Sequence, residues 1–146
     1  AFFICGISGL RTLPMIFRRP CAHINCSAID LAPNWNSQDL FIPKKLWWRQ
    51  ERRYLTFTEF IGTELGRTQL SSQFDQKGIE LIENTPAEIQ AVTMEMDERL
   101  NGTWETTEED EKLQQRFWDL YGPDKLKSPD LRIGAEYLRD NQELLK

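Results

Sequence analysis

The placement of glycine and proline in the first 26 residues limits what this part of the chain can form. An apolar run, residues 1–5, leads into a glycine-containing turn, residues 6–10, as a strand buried on both faces of a parallel sheet does. Pro14 is tolerated only in the first turn of a helix, so the helix begins at the end of that turn, and Pro20 ends it. Residues 21–25, CAHIN, indicate a second buried strand. We therefore predict a βαβ unit with two parallel strands.

Beyond this unit, the sequence predicts two further strands and four further helices. The strands are residues 40–42, within an otherwise irregular segment 27–53, and residues 78–83. The helices cover about 56–66, 85–101, 107–121 and 129–145, and capping residues mark the start of the first two. We predict an α/β fold: a Rossmann-like parallel sheet with flanking helices in residues 1–104, and a C-terminal helical tail, residues 105–146, packed on the same domain.

Composition and charge restrict the class of protein. The chain is 40% hydrophobic and 28% charged, which supports a packed core and excludes a disordered chain. Residues 1–53 contain eight Lys and Arg against three Asp and Glu, whereas the rest contains ten against twenty. The basic part attracts phosphates or other anions, but its field is too weak for non-specific nucleic-acid binding. Because the chain starts inside an apolar run without Met, we expect it to be the C-terminal part of a longer protein.

The cysteines and the single histidine indicate buried, reduced side chains. Cys5, Cys21 and Cys26 lie on or near apolar segments, which suits a cytoplasmic protein. His23 lies on an apolar strand, and we interpret it as a core histidine rather than a base. With one histidine and no nearby aspartate, neither a zinc site nor a Ser-His-Asp triad at Ser8 is predicted. The interrupted apolar start is too short to span a membrane.

The turn from Gly6 to Leu10 is the first candidate site. It follows a predicted parallel strand and precedes a helix, and open α/β folds bind ligands at that edge of the sheet. Backbone N–H groups at a helix N-terminus suit a diphosphate, and the Ser8 hydroxyl and the Arg11 side chain add a hydrogen bond and positive charge. The segment is neither a P-loop nor a GxGxxG motif. The alternative is an ordinary tight turn whose glycines serve packing.

A resemblance extends over nearly the whole chain. Residues 2–20, FFICGISGLRTLPMIFRRP, resemble the phosphate-binding βα unit of GT-B glycosyltransferases, in which a Ser-Gly turn and a helix precede an Arg-Pro and a strand. Further segments are similar to the C-terminal end of a family of bacterial glycosyltransferases from surface-polysaccharide gene clusters. In order they are DLFIPKKLW (39–47), LTFTEF (55–60), GIELIENTPAEI (78–89), MDERLNGTW (96–104), LQQRFW (113–118) and IGAEYLRDNQELL (133–145).

The resemblance implies a partial GT-B C-terminal domain that binds the nucleotide-sugar donor. The backbone of Ser8, Gly9 and Leu10 would hold the donor diphosphate, with Arg11 beside it, no obligatory metal and no further cofactor. The acceptor would bind an N-terminal domain that lies outside this chain. Many GT-B enzymes carry an acidic ribose-binding residue in the helix after this turn, and here residues 11–19 contain no Asp or Glu. The nucleotide, the sugar and the catalytic residues therefore stay unassigned.

Two further segments contain candidate donor contacts. Lys44 and Lys45 follow a short strand, inside a basic segment with two tryptophans that suits a sugar phosphate or an anionic lipid surface. Glu83 and Asn84 lie between a strand and a capped helix, from where they would contact a sugar or base, as would Gly6 in the first turn. The alternatives are a solvated loop for the lysines and helix capping alone for the second segment.

The leading functional prediction is a glycosyltransferase fragment. It would bind a nucleotide-sugar donor and, with the acceptor domain, transfer the sugar to a surface polysaccharide or a related acceptor; alone we expect it to be inactive. One alternative is a sugar-nucleotide epimerase of the same architecture. Another is a non-catalytic interaction module that docks peripherally on the inner face of the membrane through the basic, Trp-rich segment.

Overall fold

The computed structural model describes residues 1–6, 8–32, 36–121 and 131–146. They form an α/β fold with two sheets. The larger sheet has four parallel strands in the spatial order β1-β2-β3-β7. Its strands are β1 (Phe3–Cys5), β2 (Cys21–Cys26), β3 (Leu40–Pro43) and β7 (Arg132–Ile133).

The predicted βαβ unit is confirmed. A 3₁₀ turn, Gly9–Arg11, and helix α1, Thr12–Ile16, connect β1 to β2. The two strands are parallel, with Phe3 opposite Cys21 and Cys5 opposite His23. The turn therefore lies at the carboxyl edge of a parallel sheet, as the glycine and proline positions indicated.

The basic, Trp-rich segment forms a second sheet that the sequence analysis did not predict. Strands β4 (Lys45–Trp48), β5 (Arg53–Tyr54) and β6 (Ile79–Ile82) pair antiparallel in the order β5-β4-β6. The Trp47 and Tyr54 rings lie 5.1 Å apart, and the Arg53 guanidinium lies 5.3 Å from the Trp48 ring. The prediction of an irregular segment is wrong there because a cross-strand aromatic pair and a cross-strand cation–π contact stabilise a hairpin.

Six further α-helices and two 3₁₀ turns, Ile29–Leu31 and Gln142–Leu144, complete the described fold. The α-helices are α2 (Phe57–Phe60), α3 (Glu64–Arg67), α4 (Ser71–Gln76), α5 (Pro86–Asn101), α6 (Glu108–Asp119) and α7 (Ala135–Asp140). The predicted caps of α5 are confirmed: Thr85 and Glu88 form a capping box, Pro86 is in the first turn, and Gly102 ends the helix at φ 73°. The predicted helix over 56–66 is two short helices, and α4 was not predicted.

The C-terminal tail is not entirely helical, which corrects the sequence prediction. Residues 132–133 form β7, which pairs with Leu40 and Phe41 of β3. A strand of two residues is too short to show an alternating pattern, so only its pairing with β3 reveals it. Residues 122–130, which include the predicted start of the last helix, lie outside the described residues.

The core lies between the parallel sheet and the helices. Phe117 of α6 is fully buried, with ring centroids 6.0 Å from Phe41 of β3 and 5.2 Å from Phe57 of α2. On the other face, Gly134 lies against Ile42 and against Val92 of α5. One hydrophobic cluster therefore contains side chains both of residues 1–104 and of the C-terminal tail, residues 105–146. No described helix has the length and apolar character that crossing a bilayer requires.

The first strand is exposed, which also corrects the sequence prediction. Phe3 is 38% and Ile4 47% exposed because β1 is an edge strand of the described sheet. Large apolar side chains of the following segment are exposed as well, namely Leu10, Leu13, Met15, Ile16 and Phe17. A purely apolar strand does not reveal whether both of its faces will be covered.

Candidate functional site

The turn after β1 places the backbone donors of Gly9 and Leu10 at the carboxyl edge of the sheet, whereas the N–H of Ser8, the third predicted donor, already donates to the Gly6 carbonyl at 2.9 Å. Ser8 is the extended residue before the 3₁₀ turn, and its side chain makes no capping hydrogen bond. The N–H groups of Gly9 and Leu10 begin a helical segment, so they have no acceptor within it. Ser8, Gly9 and Leu10 are all exposed. The turn can therefore present both a hydroxyl and amide hydrogens to an anion from solvent.

Space beside the turn is open among the described residues. A Cβ built on Gly9 would have no described neighbour within 4 Å, and one on Gly6 would have only the Ile24 carbonyl at 3.8 Å. The Thr12 hydroxyl donates to the Gly9 carbonyl at 2.8 Å and tightens the turn from the opposite end. Ile7 and the predicted contact of the Arg11 side chain lie outside what the structure describes.

Lys44 lies where the chain passes from the parallel sheet into the antiparallel one. It follows β3 directly, and its side chain, 17% exposed, donates to Glu83 across the junction. An open cleft of about 380 Å³ adjoins it. The cleft is lined by Asn25, Ser27, Lys44, Gln69, Ser71 and Leu81. Lys44 is therefore a cation at a polar cleft, at the same sheet edge as the Ser-Gly turn.

Asn84 has its polar atoms occupied by the fold. Its side-chain oxygen accepts from the Asn25 N–H at 2.6 Å, and the Asn25 side chain accepts in return from the Asn84 N–H at 2.7 Å. The Asn84 amide nitrogen donates to the Pro43 carbonyl at 2.8 Å. Asn84 is buried, so its evident role is to join the two sheets beside the cleft.

The structure brings only some of the predicted contacts together. Lys44 lines the cleft and pairs with Glu83, whereas Lys45 lies on β4 and forms a partly buried ion pair with Glu88 at 2.8 Å. The turn follows β1 and Lys44 follows β3, two strands away, which is roughly 10 Å by ordinary strand spacing. That separation suits the two ends of one extended ligand better than a single point contact.

A second group of reactive side chains lies below the turn, on one face of the sheet. Cys5 ends β1, and its sulfur lies 2.9 Å from that of Cys21 and 3.7 Å from Nδ1 of His23. Nε2 of His23 lies 3.3 Å from Asp39, and the other oxygen of Asp39 accepts from the Cys21 N–H at 2.8 Å. Cys21, His23 and Asp39 are buried, and Cys5 is partly exposed.

These contacts shift the protonation of the group. The hydrogen bond from Cys21 lowers the pKa of Cys5 to about 5, since it outweighs burial and His23 acts in the same direction. The same hydrogen bond, together with burial, raises the pKa of Cys21. Burial opposes the charged form of His23, but its hydrogen bonds with Asp39 and Cys5 prevail and raise its pKa. Cys5 is thus the sulfur that carries negative charge most readily.

Sequence reasoning missed this group because it depends on strand register. His23 is a buried, hydrogen-bonded histidine as expected, but the expectation of no nearby aspartate is wrong, since β2 and β3 pair so as to place Asp39 beside it. The available signal was the alternation of Cys21 and His23, which puts both on one face of their strand. The third cysteine, Cys26, lies outside the group.

Compared with protein-family models, curated proteins and solved structures, the chain gives no match. What the chain does must therefore be inferred from its sequence, its fold and the geometry of these two groups of residues.

Proposed function

We propose that this chain is the donor-binding part of a GT-B glycosyltransferase that uses a nucleotide sugar. The observation that carries the proposal is the exposure of Ser8, Gly9 and Leu10 in the Ser-Gly turn, which follows the carboxyl end of a parallel strand. Its backbone donors and Ser8 hydroxyl are the groups that a diphosphate needs. The segment is also the part of the sequence that resembles the phosphate-binding unit of these enzymes.

Charge near the turn supports an anionic ligand. Lys44 lines the polar cleft at the same sheet edge and pairs with Glu83, whose side chain is 63% exposed. A diphosphate on the turn and a sugar or nucleoside directed toward the cleft would together reach from the end of β1, past β2, to the end of β3. In this arrangement Lys44 contacts the ligand by exchanging Glu83 for a phosphate or hydroxyl oxygen.

The proposed mechanism is electrostatic. As the glycosidic bond to the donor breaks, negative charge grows on the leaving nucleoside diphosphate, and fixed N–H groups with a nearby cation stabilise it. The base that activates the acceptor is assigned to a separate acceptor-binding domain. Alone, the chain is therefore expected to bind the nucleotide weakly and to transfer no sugar.

Titration of the isotope-labelled chain with UDP and with GDP tests the proposal. At millimolar nucleotide we expect amide shifts at Ser8, Gly9 and Leu10 and at residues lining the cleft. Gly9→Asp places a negative charge in open space and should weaken binding at least about tenfold through repulsion of the phosphates. Met94→Asp, at an exposed position of α5, is the matched control and should bind as the wild type does.

A folded chain whose spectrum does not change with either nucleotide would refute the proposal. So would equal weakening by the two aspartate variants, because the effect would then be one of net charge rather than of the turn.

A docking module is a second candidate, favoured by exposed apolar side chains at the end of α1 and directly after it. Ile16 and Phe17 are 66% and 64% exposed, next to the exposed Arg18 and Arg19, which suits an anionic membrane surface. Co-sedimentation with vesicles containing anionic lipid, lost in Ile16→Asp, is the expected result for this candidate. Nucleotide binding that persists in Ile16→Asp would separate the two functions.

A further inference from the structure

The group formed by Cys5, Cys21 and His23 has the composition of a metal site. One donor atom from each residue, two sulfurs and one ring nitrogen, lies within 4.8 Å of the other two. Two thiolates and an imidazole are ligands that Zn²⁺ and related soft or borderline divalent ions prefer. No other group of three such ligands occurs among the residues that the structure describes.

The histidine is oriented as a metal ligand is. Its Nε2 faces Asp39 at 3.3 Å, so Nε2–H donates to the carboxylate and the lone pair of Nδ1 is directed toward the sulfurs. Asp39 is itself fixed by the Cys21 N–H at 2.8 Å. A carboxylate behind the far nitrogen of a ligating histidine is the usual means of setting its tautomer and ring orientation.

Strand register argues against a direct disulfide in place of a metal. Cys5 is opposite His23, and Cys21 is opposite Phe3, so the cysteines are offset by two residues along adjacent strands. Strand spacing and rise then put their Cα atoms roughly 8 Å apart. Disulfides need Cα atoms closer than about 7 Å, so the bond would require a backbone movement.

A metal ion would join Cys5 and Cys21 without any movement of the two strands. With Zn–S bonds of about 2.3 Å and tetrahedral angles, the two sulfurs would lie about 3.8 Å apart. The side chains reach that separation by opening outward from the present 2.9 Å contact, while the distance of 3.7 Å from Cys5 Sγ to His23 Nδ1 already suits two ligands of one ion.

We propose that Cys5 Sγ, Cys21 Sγ and His23 Nδ1 bind one zinc-class divalent ion, with Asp39 as the positioning residue for His23. Both thiols lose their protons to solvent on binding, and the ion keeps its charge of +2, so no oxidant or reductant takes part. The fourth position lies on the side of Cys5, which is partly exposed, and is open to water or another ligand. The site is directly below the Ser-Gly turn but does not depend on the proposed nucleotide binding.

Cobalt titration of the reduced, metal-free chain tests this site. We expect one Co²⁺ per chain, sulfur-to-cobalt charge-transfer absorption in the near ultraviolet, release of protons, and displacement by Zn²⁺. Cys5→Ser and Cys21→Ser should each halve this absorption and weaken binding at least about a hundredfold. Asp39→Asn should weaken it about tenfold and keep the full absorption, since it leaves all three ligands in place.

Cys26→Ala is the matched control, because it removes the one cysteine outside the group. It should keep the stoichiometry, the absorption and the rise in melting temperature that Zn²⁺ gives the wild type. Should a cysteine variant fail to fold, His23→Gln removes the third ligand instead. It should weaken Co²⁺ binding while both sulfurs stay in place.

Three outcomes overturn the proposal. The first is a folded wild-type chain that gives no charge-transfer band with Co²⁺. The second is a band that Cys26→Ala loses as completely as Cys5→Ser does. The third is a chain that forms a Cys5–Cys21 disulfide under mild oxidation and binds no metal when reduced, which would identify a redox pair instead.

Discussion

At one edge of the parallel sheet, β1 leaves Phe3 and Ile4 exposed, whereas two strands away Phe41 and Ile42 are completely buried. Helices cover β3 on both faces, and Gln114 of α6 exchanges two hydrogen bonds with the backbone of Ile133 on the adjoining strand, β7. Both candidate sites involve the exposed unit of β1 and α1. We infer that the helix-covered half contributes most of the stability. The first βα unit contains the candidate sites, and fewer packing contacts stabilise it.

Among substitutions that shorten a side chain, the largest expected loss of stability is in the helix-covered, buried half. Phe117→Ala removes a fully buried ring that contacts Phe41 and Phe57, and should lower the free energy of unfolding by about 3–5 kcal/mol. Phe3→Ala should cost about 1 kcal/mol, since that ring keeps much of its contact with water. Denaturant unfolding measures both. Equal losses would remove the contrast between the two halves.

The next effect comes from the ion pair that joins α6 to α7. Asp110 is buried and accepts two hydrogen bonds from Arg139, at 2.7 and 2.8 Å, so Asp110→Asn should destabilise the fold by about 2 kcal/mol at neutral pH. Asp75→Asn, which removes an exposed partner of Arg49, is the control and should change stability by less than about 0.5 kcal/mol.

The same pair predicts the dependence of stability on pH. The hydrogen bonds from Arg139 lower the pKa of Asp110 from 3.8 to about 2. Because the unfolded chain takes up this proton at a higher pH than the folded one, the stabilisation is complete above about pH 5 and disappears as the pH falls toward 2. Unfolding curves across this range should have a shallower pH slope in Asp110→Asn. An unchanged slope would show that other carboxylates control acid unfolding.

Two glycines, Gly134 in the buried half and Gly9 in the exposed turn, test the difference in packing between the two regions. A Cβ at Gly134 would lie 3.0 Å from a methyl group of Ile42, so Gly134→Ala should cost about 1–2 kcal/mol through overpacking. A Cβ at Gly9 would have no described neighbour within 4 Å, and Gly9→Ala should be neutral within about 0.5 kcal/mol. Thermal unfolding of the two variants decides this, and a more costly Gly9→Ala would mean that the turn is tightly packed.

The smallest expected effect is at the exposed strand. Ile4→Lys should leave stability within about 0.5 kcal/mol of the wild type and should reduce self-association, since a charged edge strand resists pairing with another chain. Ile42→Lys, the same change at a fully buried position, should prevent folding. Light scattering and circular dichroism measure the two results, and a loss of structure in Ile4→Lys would show that β1 is supported more firmly than its exposure indicates.

Local chemistry made part of this fold predictable from sequence. Helix α5 follows from its capping box and its terminal Gly102, and the βαβ unit follows from two prolines and a glycine-rich turn. The exposure of β1, the two-residue β7 and the hairpin of β4 and β5 depend on which strands become neighbours. The Ser-Gly turn could be located for the same local reasons. The pairing of His23 with Asp39 could not, because only the register of β2 and β3 creates it.

The exchanged hydrogen bonds of Asn25 and Asn84 have a consequence for motion. The side chain of each asparagine accepts a hydrogen bond from the backbone N–H of the other. Separating the two sheets at this junction therefore breaks both hydrogen bonds together. These two amides should therefore exchange with deuterium only in the rare events that open both sheets at once. A ligand that displaces Glu83 from Lys44 would bind directly beside Asn84. Slower deuterium exchange at Asn25, across the junction, would then indicate that the ligand has bound.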